Sequence, residues 1–319
     1  MTRLTGRVVW FAGSLLLASL IVFALLNLLP GDLAGVMLGP NATPEAVEAL
    51  RGRLGLDRPW PIRYLEWIAG LFSGQLGASA LTGQPIAPMI VDKFGVTFSL
   101  VVFGMFFAVA IALPLGIHSA LRRHHADGVV VAGISQFGMA LPVFVVGIGL
   151  SLLVGVRLRW LPANGYVPPG DSLGGWASHL VLPAFTLGLV QGAVLVRYVR
   201  SAFIDVLNQD YFRTARAIGW RRWPALLRHG LRNAALQLVT IVGLQFATLF
   251  VGAIVVESVF VLPGLGSYLL QMVANRDIPV VQTIVMLLVT LVLVINLLVD
   301  LSYAIIDPRL RAGEEQDES

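Results

Sequence analysis

Leu180-Val-Leu-Pro-Ala-Phe-Thr-Leu-Gly-Leu-Val-Gln-Gly-Ala-Val-Leu-Val-Arg-Tyr-Val199 leads into Asp210-Tyr-Phe-Arg-Thr-Ala-Arg-Ala-Ile-Gly219 and Arg228-His-Gly-Leu-Arg-Asn233, and a second apolar run follows from Leu236 to Val256. Each apolar run has the roughly 20 residues that cross the hydrocarbon core of a bilayer as a helix. Residues 197 to 232 hold eight arginines against only Asp205 and Asp210. Lipid excludes so cationic a stretch. The chain therefore reads as membrane helices with a hydrophilic element held at one face.

Four further segments qualify as spans: Val8 to Leu29, Val96 to Leu121, Val129 to Val156 and Val280 to Val299. The composition agrees, with 57% hydrophobic residues, 13% charged and a mean hydropathy of +0.82. A soluble domain carries about 25% charged residues. The first segment follows Arg3 and Arg7 and lacks the flank of a cleavable signal, so it reads as a retained span. There is no cysteine, which excludes disulfides, thiolate metal sites and a cysteine nucleophile. The adjacent His124 and His125 sit beside Arg122 and Arg123 and read as a loop rather than a metal site. The net charge of +4 records topology, not nucleic-acid binding.

Short loops rich in arginine stay on the cytoplasmic side. Arg3 and Arg7, the 122–125 loop, the 197–232 loop, and Arg309 and Arg311 all fall on one face, so both termini are expected there. Arg157 and Arg159 in a short outer loop are a mild exception. The sequence divides into 1–29 (first span), an extracytoplasmic cap at 30–95, a core at 96–306 containing the loop 200–235, and a tail at 307–319.

The cap has its own helix signals. Thr43-Pro-Glu45 combines a capping residue, a proline at the first helical position and an early acid. Ile62 to Phe72 has apolar residues spaced three and four apart, as in a helix lying on a membrane surface. This cap either packs on the bundle or docks an extracytoplasmic partner. Between the last two spans, Pro263-Gly-Leu-Gly266 is a turn and Ser267 to Ala274 a short helix, leading to Arg276-Asp-Ile-Pro279. That loop is a half-inserted gate or a tight reversal.

In the inner loop Asp210 is placed to cap a helix through Ile218, with Gly219 as its stop. Ala215 and Gly219 share a face, and Arg213 and Arg216 form a neighbouring stripe. Pro224 is placed to open a second short helix carrying Leu227 and Leu231. Two amphipathic helices across the inner face serve either as a protein socket or as a lipid anchor held by arginine.

Inside the spans the polar residues are few. Gln136, Gln191, Gln245 and Asn296, with Thr186, Thr240 and Thr248, are candidates for lining a pathway or for bonding between helices. No acid or lysine lies mid-span; Glu257 and Asp277 stand at span ends as gate candidates. Pro114, Pro142 and Pro183 are placed to kink spans two, three and four. A stand-alone secondary transporter needs internal repeats and coupling groups at mid-depth, which are not seen. An intramembrane hydrolase needs a paired constellation, and neither Ser178 with His179 nor Asp300 with Ser302 has an evident partner.

The stretch Asp210 to Asn233 resembles the EAA coupling loop of ABC importer membrane subunits, with Gly219, Ala215, His229 and Asn233 on its motif positions. Most of the chain resembles the first permease subunit of the dipeptide, oligopeptide and nickel family. Leu29-Pro-Gly-Asp32, Leu54-Gly-Leu-Asp-Arg-Pro59, Thr97, Val256-Glu-Ser-Val-Phe260, Pro263-Gly-Leu-Gly266, Arg276-Asp-Ile-Pro279 and Asp307-Pro-Arg309 recur in order. Arg213 and Thr214 stand where the general motif has glutamate and alanine, and Arg232 where it has proline. Gln237-Leu238 and Gln75-Leu-Gly77 also depart from the pattern; the second removes an outer-loop acid.

The resemblance implies an all-α membrane protein with six transmembrane helices, a type I ABC importer permease. It implies a bacterial inner-membrane location and import of dipeptides or oligopeptides, with nickel or another small solute as the alternative. It implies four kinds of neighbour: a second homologous permease forming a heterodimer, two ATPase subunits, an extracytoplasmic substrate-binding protein and the lipid membrane. Arg213, Thr214, Ala215, Arg216, Gly219, His229 and Asn233 would meet an ATPase. ATP and magnesium would be bound by the partners, since this chain has no Gly-x-x-x-x-Gly-Lys-Ser/Thr pattern. No cofactor, metal or catalytic residue is expected in the chain, nor an enzymatic activity of its own.

Overall fold

The structure, a computed structural model, describes residues 2–27, 33–39, 42–53 and 55–306. Among the described residues the regular structure is helical, apart from one isolated antiparallel bridge between Ala78 and Pro85. Among these residues five helices are long and apolar enough to cross a membrane, and a bent helix pair makes a sixth span if counted as one. The contacts divide the chain into two compact units, 1–97 with 263–294, and 98–262 with 295–319.

The first unit contains α1 (Thr2–Asn27), α2 (Leu33–Leu38), α3 (Pro44–Arg53), α4 (Trp60–Ser73) and the start of α5 (Ile86–Leu121). Its α3 begins as the sequence indicates, with Thr43 Oγ1 accepting from the Ala46 amide at 3.3 Å. In α4, Trp60, Tyr64 and Trp67 lie on one face and gather around Phe23 of α1 with ring centroids 5.4–5.7 Å away. Tyr64 and Ser19 share a hydrogen bond of 2.8 Å. Edge-on and offset rings of this kind add to simple burial, so α4 is pinned to the end of α1. Gly74 closes α4 in the left-handed conformation at φ 73°.

Segment 263–294, which the sequence reading grouped with the core, packs in the first unit. Leu265, Tyr268 and Met272 of α12 (Leu265–Ala274) and Val280, Val281 and Ile284 of α13 (Ile278–Ile306) form one buried cluster with Ile86 and Ile90 of α5. Hydrophobic complementarity, invisible in linear order, makes that grouping.

The second unit is organised on α8 (Leu173–Asn208), a 36-residue helix capped by Ser172, whose Oγ accepts from the Gly175 amide at 3.0 Å. It packs against α6 (Ala126–Ala140), α7 (Val143–Leu150) and α11 (Leu231–Phe260). Glycines bring α5 within backbone distance of α8. A Cβ on Gly188 would stand 2.5 Å from Phe107 Cβ and 2.7 Å from the Gly104 oxygen, and one on Gly116 2.6 Å from Val199. Close helix approach through small residues is the usual packing device in membranes.

The third span bends where Pro142 is placed to kink it, but far more sharply than a kink. It breaks at Leu141-Pro142 and bends by 100° between 126–140 and 143–157. Pro142 supplies no amide, and its φ of −61° and ψ of 137° leave the helical region. Beyond Leu150 the backbone runs as a π-helical stretch, Ser151–Arg157. Ser151 Oγ donates to the Ala163 carbonyl at 2.9 Å and holds the returning loop.

Candidate functional site

At about 1.5 Å per residue a 36-residue helix is roughly 54 Å long, well beyond a hydrocarbon core of about 30 Å. Helix α8 therefore projects past the bilayer. Gln209, extended at φ −74° and ψ 148°, is the one residue between its end and α9 (Asp210–Ala217). Helix α9 packs against the end of α8 and against the π-helical turn Leu226–Gly230. Phe212 and Ala215 are its buried residues, while Arg213, Thr214 and Arg216 are exposed. Tyr211, Ile218 and Trp223 add exposed apolar surface to the corner, with Ile218 74% exposed.

Two local expectations are corrected. Gln209, not Asp210, is the N-cap, and it makes no side-chain capping bond. Asp210 is the first helical residue, where its charge suits the helix N-terminus, and it faces Arg213 at 3.5 Å. The second short helix is only α10 (Arg222–Ala225), which runs through the π-helical turn straight into α11. Pro224 is its third residue, within the first turn, where a missing amide costs no intrahelical bond.

Gly219 ends the element by conformation rather than by packing. Its φ is +100°, and nothing lies within 4 Å of where a Cβ would stand. The Gly219 amide donates to Arg216 O at 3.1 Å and the Trp220 amide to Ala215 O at 3.2 Å. Arg216 Nη1 donates to the Trp220 carbonyl at 2.7 Å, and the Arg228 guanidinium lies over the Trp220 ring at 5.4 Å. Arg213, Thr214, Arg216 and Gly219 thus share one exposed corner, with Ala215 beneath them. The side chains of His229 and Asn233 lie outside the described residues, as do Leu29 to Asp32 and Asp307 to Arg309.

The pathway candidates are dispersed. Gln136 is exposed on α6. Gln191 is buried on α8, and its Nε2 has no hydrogen-bond partner among the described residues. On α11, Gln245 is half-buried and its carbonyl accepts from Thr248 Oγ1 at 2.8 Å. Glu257 is fully buried near the end of α11, where Val261 turns left-handed at φ 56°.

Asp277, in the first unit, is fully buried and committed. It accepts from Ser79 Oγ at 2.5 Å and from the Ala80 amide at 3.3 Å. Ser79 Oγ in turn accepts from the Thr82 amide at 3.0 Å. The turn before α5 is thereby tied to the start of α13. Nearby, Thr97 Oγ1 accepts from the Leu265 amide at 2.8 Å, Tyr268 donates to Met89 Sδ at 3.2 Å, and Lys93 sits over the Tyr268 ring at 4.5 Å. Burial first, and the Asp277 carboxylate second, push the Tyr268 hydroxyl above its ordinary pKa. The role of Ser79 was not foreseen. Its partner lies 198 positions away, and no local pattern announces it.

Apolar spans, a broken third span and a basic corner on a projecting helix define a multi-pass membrane transport subunit. Residues 112–312 match the model of the "binding-protein-dependent transport system inner membrane component" family, and residues 1–101 match its N-terminal companion. A probable peptide ABC transporter permease protein of Sinorhizobium fredii is 37% identical over 92% of this chain and 94% of its own. A glutathione transport system permease protein of Pectobacterium atrosepticum is 40% identical over 96% and 97%. The MetNI methionine ABC transporter, solved facing inward, superposes with a TM-score of 0.59 at 18% identity, covering 69% of this chain and 96% of that one, and shows a shared fold.

The chain belongs to the binding-protein-dependent transport system inner membrane component family. It is the permease subunit of an ABC importer, a multi-pass inner-membrane protein of the type I fold, and separate ATPase subunits hydrolyse ATP. The hydrolase and stand-alone transporter readings fall with that membership.

Proposed function

We propose that this permease imports peptides and forms half of a pathway completed by a second, homologous permease. Two ATPase subunits dock at the corner of α9, both termini lie with them on the cytoplasmic side, and a binding protein delivers cargo to the cap at 30–95. The peptide reading rests on relatives such as the Sinorhizobium protein and on a span interior without mid-span acids or lysines. Spans without charge at mid-depth suit a substrate recognised through its backbone by another subunit. The glutathione-named relative keeps a second, narrower reading open, a small peptide-like thiol. No cofactor is required of this chain.

One observation carries the coupling role. A short amphipathic helix, buried through Phe212 and Ala215 and presenting Arg213 and Thr214 outward, is joined to the end of α8 by the single residue Gln209 and packs against it. A push on it moves α8. Co-purification of the tagged chain with its genomic neighbours tests this, followed by ATPase assays of wild type and Gly219→Trp. The reading expects a second permease and two ATPase subunits with the wild type, and weakened assembly or uncoupled hydrolysis in the variant. A chain that purifies alone, or hydrolysis indifferent to Gly219, would return the corner to a lipid anchor. Uptake of di- and tripeptides against nickel then separates the substrate readings.

A further inference from the structure

In the second unit, the loop 122–125 carries Arg122, Arg123, His124 and His125, none of which belongs to the α9 corner. Arg122 and both histidines are exposed, while Arg123 is half-buried. The reversal between α5 and α6 that holds this loop is locked. Asp127 Oδ2 accepts from Arg122 Nη1 at 2.6 Å and lies 3.0 Å from His118 Nε2. Ser119 Oγ donates to the Gly128 carbonyl at 2.8 Å, and a Cβ on Gly128 would overlap the Arg122 carbonyl. The hydrogen bond from Arg122 holds the Asp127 carboxyl down at about 2, so the acid stays ionised.

From this reversal Arg123 reaches the end of α8. Its Nη1 and Nη2 both donate to Asn208 Oδ1 at 3.4 Å, and its Nε donates to His124 Nε2 at 3.1 Å. Asn208 is the last residue of α8, next to the Gln209 that leads into α9. Glycine contacts fix the middle of α8, at Ala193 against Gly138 of α6 and at Val199 against Gly116 of α5. Beyond Val199 the helix overhangs these contacts by about 13 Å. Val206 of the overhang packs on the π-helical turn at Gly230, and its end carries α9. Among the described residues, the bonds from Arg123 to Asn208 are the hydrogen bonds that join the overhang to the α5–α6 reversal.

We infer that Arg123 is a positioning residue of the importer: through Asn208 it holds the α5–α6 reversal and the end of α8 as one body while the ATPases drive the cycle. Long bonds near the surface add little stability. Their loss leaves the fold intact and frees the overhang to pivot away from the reversal, taking α9 and the turn at Gly230 with it. A load on the overhang is then absorbed by the pivot instead of moving α5 and α6. Only the entry of that load at α9 rests on the docking proposed above; the union of reversal and overhang does not.

Spin labels at His125→Cys and Asp205→Cys, both exposed positions in a chain without cysteine, measure this in the assembled importer by pulsed electron resonance. The distance between them is read nucleotide-free and again after trapping with ADP and vanadate. With Arg123 and Asn208 intact, the two states should agree to within about 1.5 Å, the rise of one residue. Arg123→Ala and Asn208→Ala should each let the distance change by about 3 Å on trapping, the swing of a roughly 9 Å arm from Val199 to Asp205 through about 20°. The exchanged pair, Arg123→Asn with Asn208→Arg, should restore agreement, which a general loss of folding would not allow. A change of that size with both residues intact, or alanine variants that behave as the parent does, would overturn the proposal. Docking at α9 is read separately, by cross-linking of the exposed position Ala217→Cys to an ATPase subunit. Its failure refutes the docking alone, and the distances still decide the role of Arg123.

Discussion

The tie between Ser79 and Asp277 gives a prediction with a worked magnitude. Removing the Ser79 hydroxyl deletes a hydrogen bond to a buried carboxylate and the acceptor of the Thr82 amide, and leaves the bond from the Ala80 amide in place. A hydrogen bond to a charged group is worth about 1.5–3 kcal/mol. Taking about 2 kcal/mol, at 1.4 kcal/mol per factor of ten, Ser79→Ala raises the local opening constant of the 77–86 turn roughly 30-fold. Asp277→Ala removes both bonds and leaves the Ser79 hydroxyl and the Ala80 amide without their acceptor, so its effect is larger, about 3–5 kcal/mol. The two residues share one bond, so the double variant costs less than the sum of the two single ones.

Hydrogen exchange of the purified importer reads this directly. Amides of Ala80, Thr82 and Ile86 should lose protection about 30-fold in Ser79→Ala, while those of α8 stay unchanged. The Ile86 amide is a useful reporter because it donates to the Gly77 carbonyl at 3.0 Å across the same turn. Strict additivity of the two substitutions, or unchanged exchange at Thr82, would refute the reasoning and make the short contact incidental.

Three further outcomes follow from the geometry. A side chain at Gly219 must adopt a left-handed conformation at φ +100°, which costs about 1–2 kcal/mol, so Gly219→Ala should lower the stability of the α9 end by that much without any clash, read as faster proteolysis after Arg216. Gly188→Leu drives a side chain into Phe107 and the Gly104 carbonyl and should cost about 3 kcal/mol or abolish assembly, checked by size-exclusion profile and melting temperature in detergent. Pro142→Ala should keep the 100° bend, because Gly147 of α7 is packed within 3.3–3.4 Å of Val259, Phe260 and Thr186 at the Cβ position. Spin labels at Val129 and Val156 should then stay about 25 Å apart rather than move toward the roughly 40 Å of a straight helix.

The long helices were legible because apolar length alone decides them. Residues 180–199 and 236–256 became the middles of α8 and α11, and the ends moved outward because polar caps and turns add residues that hydropathy does not count. The broken third span was legible only as a proline. That Pro142 produces a 100° bend rather than a mild kink depends on where α7 finds its partners, which is tertiary information. The α9 corner was largely legible, since Arg213, Ala215 and Gly219 carry local signals of face and stop. Ser79 was not, because its value comes from a buried acid far along the chain. Gln191 is buried beside Gly188 and Gly192, where α5 comes close, whereas Gln136, between Ser135 and Phe137, is exposed.

On the proposed coupling role, two arginines with equal standing in the sequence part company in the structure. Arg216 donates to the Trp220 carbonyl at 2.7 Å and so is bound up with holding the turn beyond α9. Among the described residues Arg213 makes only an exposed contact with Asp210 at 3.5 Å, with the arginine 72% and the aspartate 95% accessible. Exposed pairs of this kind contribute little and re-form easily with other partners. A docking ATPase can therefore capture Arg213 at almost no cost to the permease, whereas capturing Arg216 means undoing part of the element it docks on. Arg213→Ala should weaken ATPase assembly and leave the α9 end as resistant to proteolysis as wild type. Arg216→Ala should loosen that end even in the isolated permease, with assembly falling as a consequence. The reverse pattern, a loosened end in Arg213→Ala and a normal one in Arg216→Ala, would mean that the bond to Trp220 does not hold the corner.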